Sequence, residues 1–326
     1  MNYLRRTLAT AGLALAGLGS IAASAQAQDY PTRSITMIVP FAAGGPTDII
    51  ARIVTADMAK TLGQTIIIEN VVGAGGTTAT TRAARANPDG YTLITGHMGT
   101  HAAAVPLYPK LAYHPEKDFE PVALLAGTPI LILARKDFPA KDLKEFVAYL
   151  KANTDKVNMA HAGVGSVSYS SCELLNSVLE IKPTGVPFNG TGPAMNALVG
   201  GQVDYMCDQI VNAVPQINGG TIKAYAVATP ERNPSLPDLP TTIEAGLPKY
   251  QVSAWNAIFA PKGTPAPILA KLNAAAAKAL DDENVRKRLL DLGSDIPKAD
   301  GRTQAALAAL VKSEVAKWSA VLKPAM

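Results

Sequence analysis

Glycine beside hydroxyl and acidic residues, at the point where an apolar run gives way to helical spacing, is the pattern in this chain that can do chemistry. Val39-Pro40-Phe41-Ala42-Ala43-Gly44-Gly45-Pro46-Thr47-Asp48 follows the apolar run Ile35–Val39 and precedes Ile49, Ile50, Ile53, Val54 and Met58 at helical spacing. Strand, glycine turn and helix therefore succeed one another. Gly44 and Gly45 permit tight backbone geometry, and Pro46 suits a first helical turn because its missing N–H costs nothing there. A helix start carries free N–H groups and about half a positive charge, which suits a carboxylate or phosphate. An ordinary strand-to-helix connection has the same features, and this stretch alone does not choose between the two.

The pattern recurs. Gly73-Ala74-Gly75-Gly76-Thr77-Thr78 is a second glycine turn, and Gly163-Val164-Gly165-Ser166-Val167-Ser168 and Asn189-Gly190-Thr191-Gly192-Pro193 are two more. Hydroxyls at helix starts accept backbone N–H groups as caps or donate to an oxyanion. Thr47, Ser166, Ser168 and Thr191 are open to both roles. Lys and Arg are missing from these loops, so any anion would be held by amides and helix dipoles rather than by a guanidinium clamp.

Other constellations carry less. His97 and His101 are four apart, but Gly99 lies between them and no third ligand or HExxH glutamate accompanies them. His97 reads better as a cleft wall, and His161 as packing beside the Gly163 loop. No GxSxG nucleophile elbow and no GxxxxGK[ST] phosphate loop occur. Gly73-Ala74-Gly75-Gly76 lacks the third glycine of a dinucleotide fingerprint. No metal and no cofactor is expected.

Alternating strands and helices must position these loops. Ser34–Val39, Thr65–Glu69 and Tyr91–Thr95 read as strands, and Thr47–Thr61 and Thr77–Ala86 as helices, which implies a parallel, doubly wound sheet. Ligands in such sheets sit beyond the carboxyl ends of the strands. Phe119–Ala126 and Pro129–Ala134 look like two apolar runs crossing into a second sheet. There the logic repeats: strands at Val157–Ala160, Thr184–Phe188 and Val203–Cys207, helices at Asp142–Ala152, Tyr169–Leu179 and after Asn189. Thr221–Ala228 crosses back, Ala254–Ala260 is a further strand, and helices Pro267–Leu280 and Arg302–Leu322 finish the chain. The expectation is two doubly wound α/β domains joined by two crossover strands: 28–126 with 228–326, and 127–227.

Composition agrees with export and excludes some partners. Arg5-Arg6, the apolar run Ala9–Ala23 and Ala25-Gln26-Ala27 read as a secretory signal peptide over 1–27. Removing it leaves 326 − 27 = 299 residues, enough for about two domains, with 28 basic residues (30 − 2) against 26 acidic. No basic run suggests nucleic acid, and no later stretch is apolar enough to span a bilayer. Cys172 and Cys207 are open to a disulfide or to two buried thiols.

At this point the chain resembles the Bug-type solute-binding proteins of tripartite tricarboxylate transporters. The resemblance rests on VPFAAGGPTDIIAR (39–52), ENVVGAGGTTAT (69–80), PDGYTLITG (88–96), THAAAVPLY (100–108), DFEPVALLA (118–126), GVPFNGTGPAMNALVGGQVDYMCD (185–208) and APKGTPAPILAKLN (260–273), in order along nearly the whole chain. It implies a Venus-flytrap fold of the periplasmic type that captures a small carboxylate and delivers it to a membrane permease, acting as a monomer. It implies that Phe41, Ala42, Gly44, Gly45 and Thr47, with Ala74 and Gly75, grip one carboxylate through backbone N–H groups. Asp48 would meet a ligand ammonium or stabilise the helix start. Ser166, Ser168, Thr191 and Gly192 would bind the distal end, His97 would form a cleft wall, and Asp208 would face the cleft by analogy. Tyr169 stands where the family commonly has histidine, which bears on pocket shape.

Three functions follow: a receptor for a di- or tricarboxylate or an aromatic acid, an extracytoplasmic ligand receptor for a sensor kinase, and a secreted hydrolase. Few aromatic residues lie in the loops (Phe41, Tyr169, Phe188), which favours an aliphatic dicarboxylate. A hydrolase would need a base beside Ser166 or Ser168.

Overall fold

The computed structural model describes residues 30–322; the expected signal peptide, 1–27, lies outside them. The strands are β1 Ile35–Val39, β2 Ile66–Asn70, β3 Thr92–His97, β4 Phe119–Arg135, β5 Asn158–His161, β6 Thr184–Pro187, β7 Tyr205–Gln209, β8 Ile222–Val227 and β9 Ser253–Pro261. The helices are α1 Pro46–Leu62, α2 Thr77–Ala84, α3 Ala104–Leu107, α4 Leu143–Ala152, α5 Val167–Leu179, α6 Thr191–Val199, α7 Ile210–Asn218, α8 Ala266–Asp281, α9 Glu283–Asp291 and α10 Gln304–Val321. The sequence reading missed α3, α7 and α9. Pro215 sits inside α7 and masks its pattern, while α9 is a short, mostly charged helix.

The strands run in the order β2-β1-β3-β9-β4-β7-β5-β6, with β8 also on β4. β1 is parallel to β2 and β3, and β5 to β6 and β7, as the strand–helix alternation requires. β9 and β4 join these two parallel groups by antiparallel pairing. The two apolar runs expected at 119–126 and 129–134 are one strand of 17 residues. Its first part pairs with β9 and its last part with β7 and β8. Gly127 and Thr128, which looked like a break, stay extended because Gly127 exchanges two backbone bonds of 2.8 Å with Asp295 and Thr128 pairs with Ala254. The chain returns from β8 through the proline-bearing connection 228–252 into β9.

α1 shows how local sequence makes an element and its site end together. Gly45 caps its start in an extended conformation, Pro46 is in its first turn, and Gly63 ends it at φ 69° in the left-handed region that glycine adopts freely. Ile50, Ile53, Val54 and Met58 bury one stripe in a core shared with Leu269, Leu272 and Ala276 of α8. Complete burial of a side chain such as Leu272 stabilises the fold by roughly 1.5–3 kcal/mol. α10 packs on β4 with Trp318 buried. Cys172 of α5 and Cys207 of β7 form a disulfide, which resolves the alternative that the sequence left open.

Candidate functional site

Helix starts meet in one cavity. Gly45, Pro46, Thr47 and Asp48 begin α1; Ser166, Val167 and Ser168 begin α5; Thr191 begins α6; all of them line the same space. Its volume is about 310 Å³, counting the part open to solvent. A ligand here must be small.

On the α1 side the wall is main chain. Neither α1 nor α6 has a side-chain cap, so their first N–H groups are left for another acceptor. Thr47 is therefore not the cap of α1; it lies past Gly45, and its side chain lines the cavity. Asp48 also lines it, but both of its oxygens are engaged. Oδ2 accepts Gly44 N–H (3.0 Å) and Arg52 Nε (2.9 Å), and Oδ1 accepts Asn70 Nδ2 (3.0 Å). Burial opposes its ionisation, yet these donors hold the carboxyl below the ordinary range. Asn70 Nδ2 also donates to Phe41 O at 2.9 Å, so Asp48 and Asn70 together fold the turn Phe41–Gly44.

His97 closes the next wall, stacked on Phe41 with centroids 5.1 Å apart. Gly99 and Thr100 N–H groups donate to its Nδ1 (2.9 and 3.2 Å), which leaves the proton on Nε2. Burial pushes its pKa down to about 3, so the ring is a neutral donor. His101 points elsewhere: it stacks on Phe259 at 4.0 Å, deep in the core.

The opposite wall is made of side chains. Ser166 Oγ caps α5 by accepting Tyr169 N–H at 3.2 Å, and Ser168 Oγ accepts Ala162 N–H at 2.9 Å. Thr191 is nearly buried on the cavity, and its hydroxyl also lies within reach of the Asp208 carboxyl behind it. Among the described residues no hydrogen bond links either serine to a base; the two hydroxyls lie 3.2 Å from each other. His161 accepts Gly163 N–H on Nδ1 (3.0 Å) and packs edge-on against Tyr169, so the hydrolase reading has no catalytic geometry behind it.

Gly44, Ala74, Gly75, Gly192 and Asp208 lie off the cavity lining. Gly75 and Gly192 instead sit where loops from opposite sides touch. A Cβ on Gly75 would stand 1.6 Å from Val164 O, and one on Gly192 2.9 Å from Ala43 O. Ala42 N–H donates to Asn189 O at 2.9 Å, and Tyr108 Oη lies 2.7 Å from Val164 O and 3.0 Å from Ala74 O. These contacts join loops that face one another across the cavity. Asp208 was expected to face it. In a strand, successive side chains point to opposite faces, and Asp208 sits behind the lining, accepting Asn212 Nδ2 (2.6 Å), which also donates to Thr191 O at 3.1 Å. Burial pushes its pKa up to about 7. Its neighbour Gln209 takes the cavity face. The disulfide carried a signal for this: Cys207, two residues earlier on the same face, is tied to the helix that Ser166 starts.

Among the described residues the lining contains neither Lys nor Arg, and with the Asp48 carboxylate taken up by Gly44, Arg52 and Asn70, the donors inside are helix starts, N–H groups and hydroxyls. Comparison with known proteins agrees with that chemistry. The family model for the tripartite tricarboxylate transporter family receptor, TctC, matches residues 50–325. The fold is similar to that of MatC from Rhodopseudomonas palustris with bound malate (62% identity, TM-score 0.88, 90% of this chain and 99% of that one). It is also similar to the periplasmic binding protein BugD (43%, TM-score 0.87, 90% and 97%) and to R. palustris Rpa4515 with adipate (31%, TM-score 0.86, 91% and 100%). Among the described residues no helix is long and apolar enough to cross a membrane. The chain belongs to the TctC receptor family, whose members are periplasmic solute-binding proteins and not enzymes.

Proposed function

We propose that this protein is exported by its 1–27 leader, captures a small aliphatic dicarboxylate of the size of malate, and delivers it to the membrane subunits of a tripartite transporter. The observation that carries the reading is the junction of α1, α5 and α6 starts on one small cavity lined by no Lys or Arg among the described residues. One carboxylate would sit against the N–H groups of α1 beside Thr47. The far end of the ligand would reach Ser166, Ser168 and Thr191, with His97 Nε2 donating from the side. Residues 28–126 with 228–326 would move as one body and 127–227 as the other, opening to admit the ligand and closing through the Ala42–Asn189 and Tyr108–Val164 contacts.

Calorimetric titration of residues 28–326, stripped of ligand by refolding, against malate, succinate, adipate, citrate and benzoate tests the reading. Malate or succinate should bind most tightly. Failure of all five at millimolar concentration would overturn the carboxylate reading. Delivery is tested by uptake into vesicles carrying the membrane subunits. Binding without stimulated uptake, together with capture of a sensor kinase's extracytoplasmic domain, would assign the protein to signalling.

A further inference from the structure

Gln209 ends β7 with its side chain on the cavity, and its amide is held from behind. Oε1 accepts Thr128 Oγ–H at 2.7 Å and Asn256 Nδ2 at 2.9 Å; Asn256 Nδ2 also lies 3.4 Å from Thr128 Oγ1. Thr128 and Asn256 are fully buried, on β4 and β9 where these strands pair. That is also where β4 passes from β9 to β7 and β8, so the three side chains straddle the junction between the two parts of the sheet.

The same heavy atoms would bond equally well with both amides turned over, which would present an oxygen to the cavity. The orphan decides. As assigned, the sealed atom without a partner is Asn256 Oδ1, an acceptor. Turned over, a sealed NH₂ would be stranded there, and orphaned buried donors are rarer than orphaned acceptors. Gln209 therefore shows Nε2 to the cavity, with no partner among the described residues and outside the set of sealed polar atoms.

We infer that Gln209 is a specificity-determining residue that donates from Nε2 to an acceptor oxygen of the bound ligand, with Thr128 and Asn256 as positioning residues that hold the amide from the strand junction. The inference rests on the dicarboxylate reading above. A donor at this point accepts carboxylate, carbonyl or hydroxyl oxygen and disfavours an ammonium. Because Oε1 is anchored on β4 and β9, a ligand that engages Nε2 is tied to the junction that must bend when the cleft opens.

The test is a double-mutant cycle read by malate titration: wild type, Gln209→Met, Thr128→Val and the double variant. Gln209→Met should weaken binding about 10- to 100-fold, as expected for hydrogen bonds to a charged group. Thr128→Val, which alters no cavity surface, should weaken it about 5-fold, and the double variant should match Gln209→Met within about 2-fold because both act through one amide. Gln209→Glu keeps the side chain's size and brings a like charge to the ligand, so it should bind more than about 100-fold more weakly at pH 7; it serves if the Met variant does not fold. Unchanged affinity in the Gln209 variant, or independent effects that simply add, would overturn the inference. Wild-type protein that binds no dicarboxylate would overturn the reading beneath it as well, and the wild-type titration separates the two failures.

Discussion

The two walls of the cavity meet the same demand with different materials. The wall from Phe41 to Asp48 offers main-chain N–H groups, and its one acid serves the turn: Asp48 binds Gly44, Arg52 and Asn70. The wall from Ala162, Ser166 and Ser168 to Thr191 and Gln209 offers hydroxyls and an amide. Main-chain groups stay when side chains change, so the first wall suits whatever every ligand shares. Side chains differ in reach and hydrogen-bonding sense, so the second wall suits what distinguishes one ligand from another. The second wall is also tied covalently, by Cys172–Cys207 under α5 and β7, whereas the first is held by hydrogen bonds.

That contrast can be broken most severely at the covalent tie. Replacing Cys172 and Cys207 by alanine should cost about 4 kcal/mol of stability, the chain-entropy value for a closed loop spanning 35 residues; chemical denaturation measures it. Next is closure. Gly75 has φ 61° and Val164 O against its Cα, so Gly75→Ala should hold the loops apart and weaken malate binding by about 100-fold, or about 2.7 kcal/mol, while the ligand-free protein stays folded. Wild-type affinity in that variant would mean that shutting the cleft contributes nothing.

Asp48→Ala frees the turn at Gly44 and strands three donors, and should weaken every carboxylate alike by about 10- to 30-fold, at roughly 1–3 kcal/mol of stability. Thr191→Val, on the other wall, should cost about 10-fold or less but reorder the preference among malate, succinate and adipate. If Asp48→Ala reordered the ligands and Thr191→Val scaled them uniformly, the division of labour between the walls would be reversed.

The remaining effects are those of pH, read on stability rather than on affinity. His97 is held neutral by burial, with a pKa near 3 against an ordinary 6.5, so the unfolded chain binds more protons between those values and stability falls as pH drops through that window. Asp208 works the other way. Its pKa rises from 3.8 to about 7, so the folded chain holds the extra proton and stability falls as pH rises through that window. Asp208→Asn should therefore gain stability relative to wild type between pH 4 and pH 7, as melting temperatures across that range would show.

Much of this protein was legible in the chain itself. Ile35–Val39, the glycines at 44 and 45, Pro46 and the apolar stripe of α1 are local, so they mark a strand, a turn and a helix start wherever the chain goes. The hydroxyl loops before α5 and α6 carry the same local signal, and the absence of Lys and Arg already pointed to dipole recognition. Which loops touch which was decided only in three dimensions. Gly75 and Gly192 look like ligand glycines in one dimension and are contact points between opposite walls in three, because only the packed fold brings Val164 and Ala43 against them. Asp208 and Gln209 are neighbours on one strand, and alternation assigns them to opposite faces without saying which is which. The disulfide to α5 and the bonds from Thr128 and Asn256, residues far away in sequence, turn Gln209 rather than Asp208 toward the cavity.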